Sequence, residues 1–169
     1  GSYNIEMANV TGGTFWKAYT SEQISGEIQV VPVELTRYGE MMQQYDPVNL
    51  GGERIRMLAS ALGSCYIRVS GGWATGTYYD FDGHTEGEVP EGYQVLLTKE
   101  QWDGVLDFVR ETKGKLMISV SNCKGDHKGG KPWTPEQAKL LFDYSRDYGV
   151  PIAAAEFMNE PNFVGDNIS

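Results

Sequence analysis

Apolar residues recur along this chain in two patterns: short runs bounded by glycine and polar residues, and longer stretches with apolar positions three and four apart. Residues 28–35, IQVVPVEL, form a mostly apolar run ending near Glu34, the pattern of a parallel strand buried on both faces. Residues 52–62 place Ile55, Leu58, Ala59 and Leu62 at i, i+3, i+4 and i+7, which predicts a helix with that face inward. Residues 65–70, CYIRVS, predict a second strand. Thr98-Lys-Glu-Gln101 then opens a second helix with a capping box, and Trp102, Val105, Leu106 and Val109 supply its buried stripe. Residues 115–121 predict a third strand. Thr134-Pro135-Glu136-Gln137 opens a third helix with another capping box and proline at the first helical position, its inner face carrying Leu141, Tyr144 and Tyr148. Pro151 starts a fourth apolar run that leads to Asn159 and Glu160. Pro161 disfavours helical geometry for the residue before it, so Glu160 is expected to be still extended.

Strands alternating with helices imply right-handed crossovers and a parallel sheet, an α/β fold. Each expected strand exit carries polar groups: Glu34, then Arg68 with Ser70, then Asn122, then Asn159 with Glu160. Polar strand exits are what the rim of a (β/α)8 barrel requires, so residues 28–169 read as the N-terminal half of such a barrel. Half a barrel leaves two raw strand edges, and the chain is therefore expected to be incomplete or to meet a partner segment. Residues 1–27 hold two β-rich pieces, 3–10 and 14–19, and read as an N-terminal β segment packing with an accessory β-domain. The 71–97 stretch reads as a long loop rich in aromatics, including Trp73, Tyr78 and Tyr79. A loop of that length in a compact domain is usually functional. No phosphate-cradling glycine pattern follows the first expected strand, which speaks against nucleotide binding.

The formal charge of −9 argues against broad attraction to nucleic acid or an anionic membrane. No apolar run approaches the roughly 20 residues of a membrane span. Two cysteines exclude a thiolate metal cluster. The strand assignments put Cys65 and Cys123 at opposite ends of the sheet, beyond the roughly 7 Å of Cα separation that a disulfide tolerates, so both are expected to be free thiols.

Two glutamates of the last strand, Glu156 and Glu160, share a face. Four residues at about 3.3 Å each separate them by roughly 13 Å. That exceeds the roughly 5 to 9.5 Å between the paired carboxylates of retaining and inverting glycosidases. Glu156 therefore reads as structural, and a partner carboxylate for Glu160 must come from another strand.

The Asn-Glu-Pro at the end of a fourth strand resembles the acid/base motif of the retaining glycoside hydrolases built on (β/α)8 barrels. More specifically, YDPVNLGGERIRMLASALGSCYIRVSGG, followed at distance by AKLLFDYSRDYGVPIAAAEFMNEPN, resembles glycoside hydrolase family 79, the heparanase and β-glucuronidase family. The resemblance runs from about residue 28 to residue 162. It implies that Glu160 is the general acid/base, that Asn159 is the amide bonding the sugar 2-hydroxyl, and that Arg68 orients carboxylates below the site. Glu34 takes the place of an acidic substrate contact. Gly71 and Gly72 belong to the glycine tract after the second strand, where this chain departs from the family by continuing with Trp73. The nucleophilic glutamate of the family lies on a later strand, beyond Ser169.

The implied reaction is retaining hydrolysis of β-linked glucuronic acid in a glycosaminoglycan or related glycan, outside the cytoplasm (secreted or periplasmic), with no metal or organic cofactor. The missing glutamate attacks the anomeric carbon while Glu160 protonates the departing oxygen, and a water activated by Glu160 releases the sugar. His127 and Lys128, with Lys124 and Lys131, concentrate donors in the loop after the third strand and suit an anionic sugar. The partners implied are a carbohydrate and the remaining half of the barrel, on the same protein or a second chain, with neither nucleic acid nor membrane. Two other readings stay open: a noncatalytic carbohydrate-binding or scaffold protein on the same fold, and a glycosidase of the same clan acting on neutral sugars.

Overall fold

The structure is a computed structural model and describes residues 1–29 and 39–163. Its centre is a four-stranded parallel sheet in the order β1 (Ser2–Glu6), β4 (Tyr66–Ser70), β7 (Lys115–Ser119) and β8 (Ala154–Glu156). Helices α3 (Glu53–Ala61), α4 (Lys99–Glu111) and α5 (Glu136–Asp147) fall between successive strands of this sheet, the alternation that parallel pairing demands. A short helix, α1 (Met7–Thr11), follows β1 directly. The antiparallel pair β2 (Gly13–Trp16) and β3 (Met42–Tyr45) stands apart from the sheet, with helix α2 (Ser21–Ser25) in between along the chain.

Three of the sheet strands are pentapeptides with one pattern: SYNIE, YIRVS and KLMIS. They pair in step, Ser2 with Tyr66 and Tyr66 with Lys115, so their second and fourth residues point to one face and their third and fifth to the other. Ile5, Ile67, Val69, Leu116 and Ile118 are buried beneath the helices. The opposite, inner face carries Asn4, Glu6, Arg68, Ser70, Ser119 and Glu156. A sheet whose strands alternate in this way covers one face with apolar helices and leaves a polar face to line a site.

Helix α4 follows its expected pattern. Thr98 accepts from the Gln101 backbone N–H at 3.3 Å while the Gln101 side chain accepts from the Thr98 N–H at 3.0 Å, and Trp102, Val105, Leu106, Phe108 and Val109 are buried. The Trp102 indole donates to Ser145 Oγ at 3.0 Å and ties α4 to α5. Both cysteines are free, as expected, and both are buried. No helix of the described residues is long and apolar enough to cross a membrane.

Several expectations are corrected. Among the described residues the strand beside β4, the place expected of 28–35, is Ser2–Glu6, so the N-terminal segment supplies a strand of the sheet. Of the 28–35 run only Ile28 and Gln29 fall within the described residues, and Glu34 lies outside them. Met7–Val10, expected to extend a strand, is helical because Asn9 Oδ1 accepts from the Glu6 N–H at 3.0 Å and closes a turn. The 71–97 stretch is not one loop: Thr77–Asp80 (β5) and Val95–Thr98 (β6) pair in parallel within it. Thr134 and Gln137 form no capping box, since Gln137 accepts from the Tyr79 N–H at 2.6 Å and Thr134 donates to the Asp126 carbonyl.

Helix α3 shows most plainly how little periodicity says about what is nearby. Of its expected inner face, Ala59 is buried, but Leu58 is 55% exposed and Leu62, just past its end, 67%. They line an open apolar groove of about 510 Å³ beside β1, together with Tyr3, Ile5 and Phe108. Burial therefore separates two leucines that the pattern treats alike. Leu106→Ala is expected to cost about 3 kcal/mol, because it removes buried methyls and leaves a cavity, whereas Leu62→Ala is expected to stay within about 0.5 kcal/mol. Urea midpoints of the two variants against the parent check this; equal losses would contradict the packing described.

Candidate active site

In a parallel α/β sheet the strand C-termini gather on one side, where loops build binding sites. The polar inner face leads up to that side here. Arg68 projects from the middle of β4 and donates through Nη1 to Asn4 Oδ1 at 2.9 Å. Through Nη2 it pairs with Glu156 and donates to Asn159 Oδ1 at 3.0 Å. Ser70 Oγ lies 3.2 Å from Glu156 Oε1 and 3.1 Å from Asn159 Oδ1, and Ser119 reaches both Glu156 and, at 2.6 Å, Ser70. At the far end Asn159 Nδ2 donates to Glu160 Oε2 at 3.2 Å. At the near end Asn4 Nδ2 donates to Glu6 Oε1 at 2.7 Å. One hydrogen-bonded chain thus runs from β1 across to the residues following β8.

Asn159 is only 8% exposed, whereas Glu160 is open to solvent. Strand β8 ends at Glu156, and Glu160 is not extended: its φ is +44°, in the left-handed region that a side chain adopts at a cost. The local preference set by Pro161 is overridden because the Asn159 side chain is held inward by Arg68 and Ser70, which forces the chain to turn before a short 3-10 segment, Pro161–Phe163.

No family model matches the chain, and no curated protein matches it.

The remaining expected site residues fall into two groups. Gly71 is buried at φ +100°, and a Cβ there would sit 1.7 Å from Glu6 Oε2, so glycine is needed for the Glu6 carboxylate to lie where it does. Gly72 is exposed next to it. Trp73 is half-buried, packs on the core and donates its indole N–H to the Thr14 carbonyl at 2.9 Å, and Tyr79 is wholly buried with its hydroxyl accepting from the Ser121 N–H. These two aromatics help hold the fold together.

The loop after β7 is anchored by buried Asp126, whose carboxylate accepts from Ser121 Oγ at 2.7 Å, the Cys123 N–H at 3.0 Å and the Tyr93 hydroxyl at 2.9 Å. His127 uses both ring nitrogens within the protein, one 2.8 Å from Asn122 Oδ1 and the other 3.1 Å from the Lys131 carbonyl. Lys124, Lys128 and Lys131 are exposed around it.

A metal would find ligand atoms in Asp80, Asp82 and His84, which lie within 4.8 Å of one another. Both Asp80 oxygens already accept from the turn they close, from the Gly83 and Thr85 N–H groups and the Thr85 hydroxyl.

Glu6 and Asn4 were missed by sequence reasoning. The signal that finds them is the repeated pentapeptide pattern, which makes SYNIE a sheet strand ending in a carboxylate, in the place expected for Glu34. Burial pushes the Glu6 carboxyl up and the charge of Glu160 adds to this, against the opposing pull of Arg68 and Asn4. For Glu156, partial burial alone would push the carboxyl up. Hydrogen bonds from Ser119 and Arg68 and the guanidinium charge outweigh it and hold the group below its usual range.

A lowered folded-state value stabilises the fold above the unfolded carboxylate pKa of about 4.3, and that contribution is lost as pH falls through the folded value. Glu156→Gln is therefore expected to lower stability by about 2 kcal/mol at pH 7 and to cost less at pH 3, below the unfolded value of about 4.3, where part of that contribution is already lost. Urea unfolding at both pH values reads this; a cost independent of pH would refute the charged role.

Proposed function

We propose that this chain is the N-terminal half of a (β/α)8 glycoside hydrolase of the retaining type, acting on β-linked glucuronic acid in the manner of glycoside hydrolase family 79. The observation that carries the reading is the Asn159–Glu160 pair. A buried amide, held by Arg68 and Ser70, donates to an exposed carboxylate at the C-terminal side of a parallel sheet. Glu160's left-handed backbone supports it further, since strained positions gather at functional sites. Among the described residues β1 and β8 each have one unpaired edge, consistent with a barrel completed by further strands.

In this reading Glu160 delivers a proton to the departing glycosidic oxygen and then takes one from the water that releases the sugar. The nucleophile is a carboxylate on a strand outside these 169 residues, contributed by the same protein or by a second chain. Asn159 keeps one amide hydrogen for the sugar 2-hydroxyl while its oxygen is tied to Arg68. Glu6, at the end of β1, takes the acidic contact expected of Glu34, and the exposed lysines of the loop after β7 supply cations for a uronate. A uronate polymer as substrate suits a secreted or periplasmic protein.

With the completing half present, Glu160→Gln is expected to lower kcat/KM by about 10²- to 10⁴-fold on glucuronides with poor leaving groups, and to spare activated aryl glucuronides more, because those need less acid assistance. Undiminished turnover of both substrates would remove the assignment. Lys128→Ala with Lys131→Ala is expected to reduce hydrolysis of an aryl glucuronide about tenfold relative to the matching glucoside; equal loss on both would favour a neutral-sugar glycosidase.

A further inference from the structure

We infer that Glu156 is a positioning residue for the Asn159–Glu160 pair, acting through Arg68 and Ser70; its link to turnover rests on the glycosidase reading above. An arginine only donates hydrogen bonds, so the contact from Arg68 Nη2 requires the oxygen of the Asn159 amide to face Arg68 and its nitrogen to face Glu160. The aim of the amide is thus set by where the guanidinium stands.

Four groups compete for that guanidinium. Nη1 is taken by Asn4, and Glu156 shares Nη2 with Asn159, while Glu6 draws on the same charge from the β1 side. Glu156 is the anion that keeps the fork against the β8 side. Ser70 repeats the arrangement: its hydroxyl sits between Glu156 Oε1 and Asn159 Oδ1 at 3.2 and 3.1 Å. Its single proton serves one of these two oxygens at a time. Both donors that orient Asn159, Arg68 and Ser70, thus also lie within hydrogen-bond reach of Glu156. Without the Glu156 charge, Glu6 still attracts Arg68 from the β1 side, and a guanidinium drawn toward β1 releases the Asn159 oxygen.

The test uses Glu156→Gln in the full-length protein and reads two quantities. The first is the side-chain amide of Asn159 by ¹H–¹⁵N NMR, assigned by Asn159→Asp. The parent is expected to show two separate, exchange-protected Nδ2 protons, and Glu156→Gln to lose that protection and move both toward free-asparagine positions. The second is kcat/KM for a 2-hydroxy glycoside relative to its 2-deoxy analogue. This ratio is expected to fall about tenfold in Glu156→Gln, whereas a residue that merely stabilised the fold would lower both substrates together.

Unchanged Asn159 signals, or an unchanged ratio in an active enzyme, would overturn the positioning role. If the parent hydrolyses neither glycoside, the glycosidase reading fails while the NMR comparison still decides whether Glu156 orients Asn159. Should Glu156→Gln not fold, Glu156→Asp, which keeps the charge but withdraws it by one methylene, is expected to shift both readouts in the same direction by less, and no shift in either would be the contrary result.

Discussion

Arg68 carries a permanent positive charge on the inner face of the sheet, and that charge has to be met where it stands. A partly buried guanidinium is tolerated only with carboxylate and carbonyl partners in fork geometry. Here Glu156, Asn4 and Asn159 provide them from three other parts of the chain. The inner face is organised by this requirement: the two serines converge on the same Glu156 oxygen, Oε1, that Arg68 reaches, and Glu6 and Glu160 sit at the two ends of the resulting chain. With Arg68 absent, the carboxylates Glu6, Glu156 and Glu160 would share one face without a cation between them.

The opposite face explains why this arrangement can hold its shape. Ile67, Val69, Leu116 and Ile118 pack under α4 and α5, and the two helices are joined by Trp102 to Ser145 and by the hydroxyls of Tyr144 and Tyr148 to Asp103 and Asp107. Strands held this firmly from behind present their inner-face side chains in fixed register. The loops above them have their own anchors, Asp126 after β7 and Gly71 against Glu6 after β4. The apolar groove beside β1 marks where this packing layer stops among the described residues.

How much of this was legible in the sequence varies with how local the cause is. Helix α4 could be read almost residue by residue, because a capping box and a 3.6-residue stripe act within a few positions of one another. The same reasoning gave the extent of α3 but not the exposure of Leu58 and Leu62, since periodicity marks a face without showing what lies opposite it. Thr134 and Gln137 matched a capping pattern, yet found stronger partners in Asp126 and Tyr79, which are distant in sequence. Glu156 was read as structural from its spacing alone, and Asn159 and Glu160 were recognised from their place after an apolar strand. Glu6 was overlooked because a longer apolar run at 28–35 competed for the role of first strand.

The sequence by itself determined the α/β alternation, the α4 cap and stripe, and the free thiols. All of these depend on interactions between near neighbours or on composition. Only the tertiary structure decided that SYNIE is a sheet strand, that Glu160 turns into the left-handed region, and that Arg68 joins Asn4, Glu156 and Asn159. Those outcomes depend on parallel strands far apart in the chain meeting in register, and on one half-buried charge drawing partners from several of them.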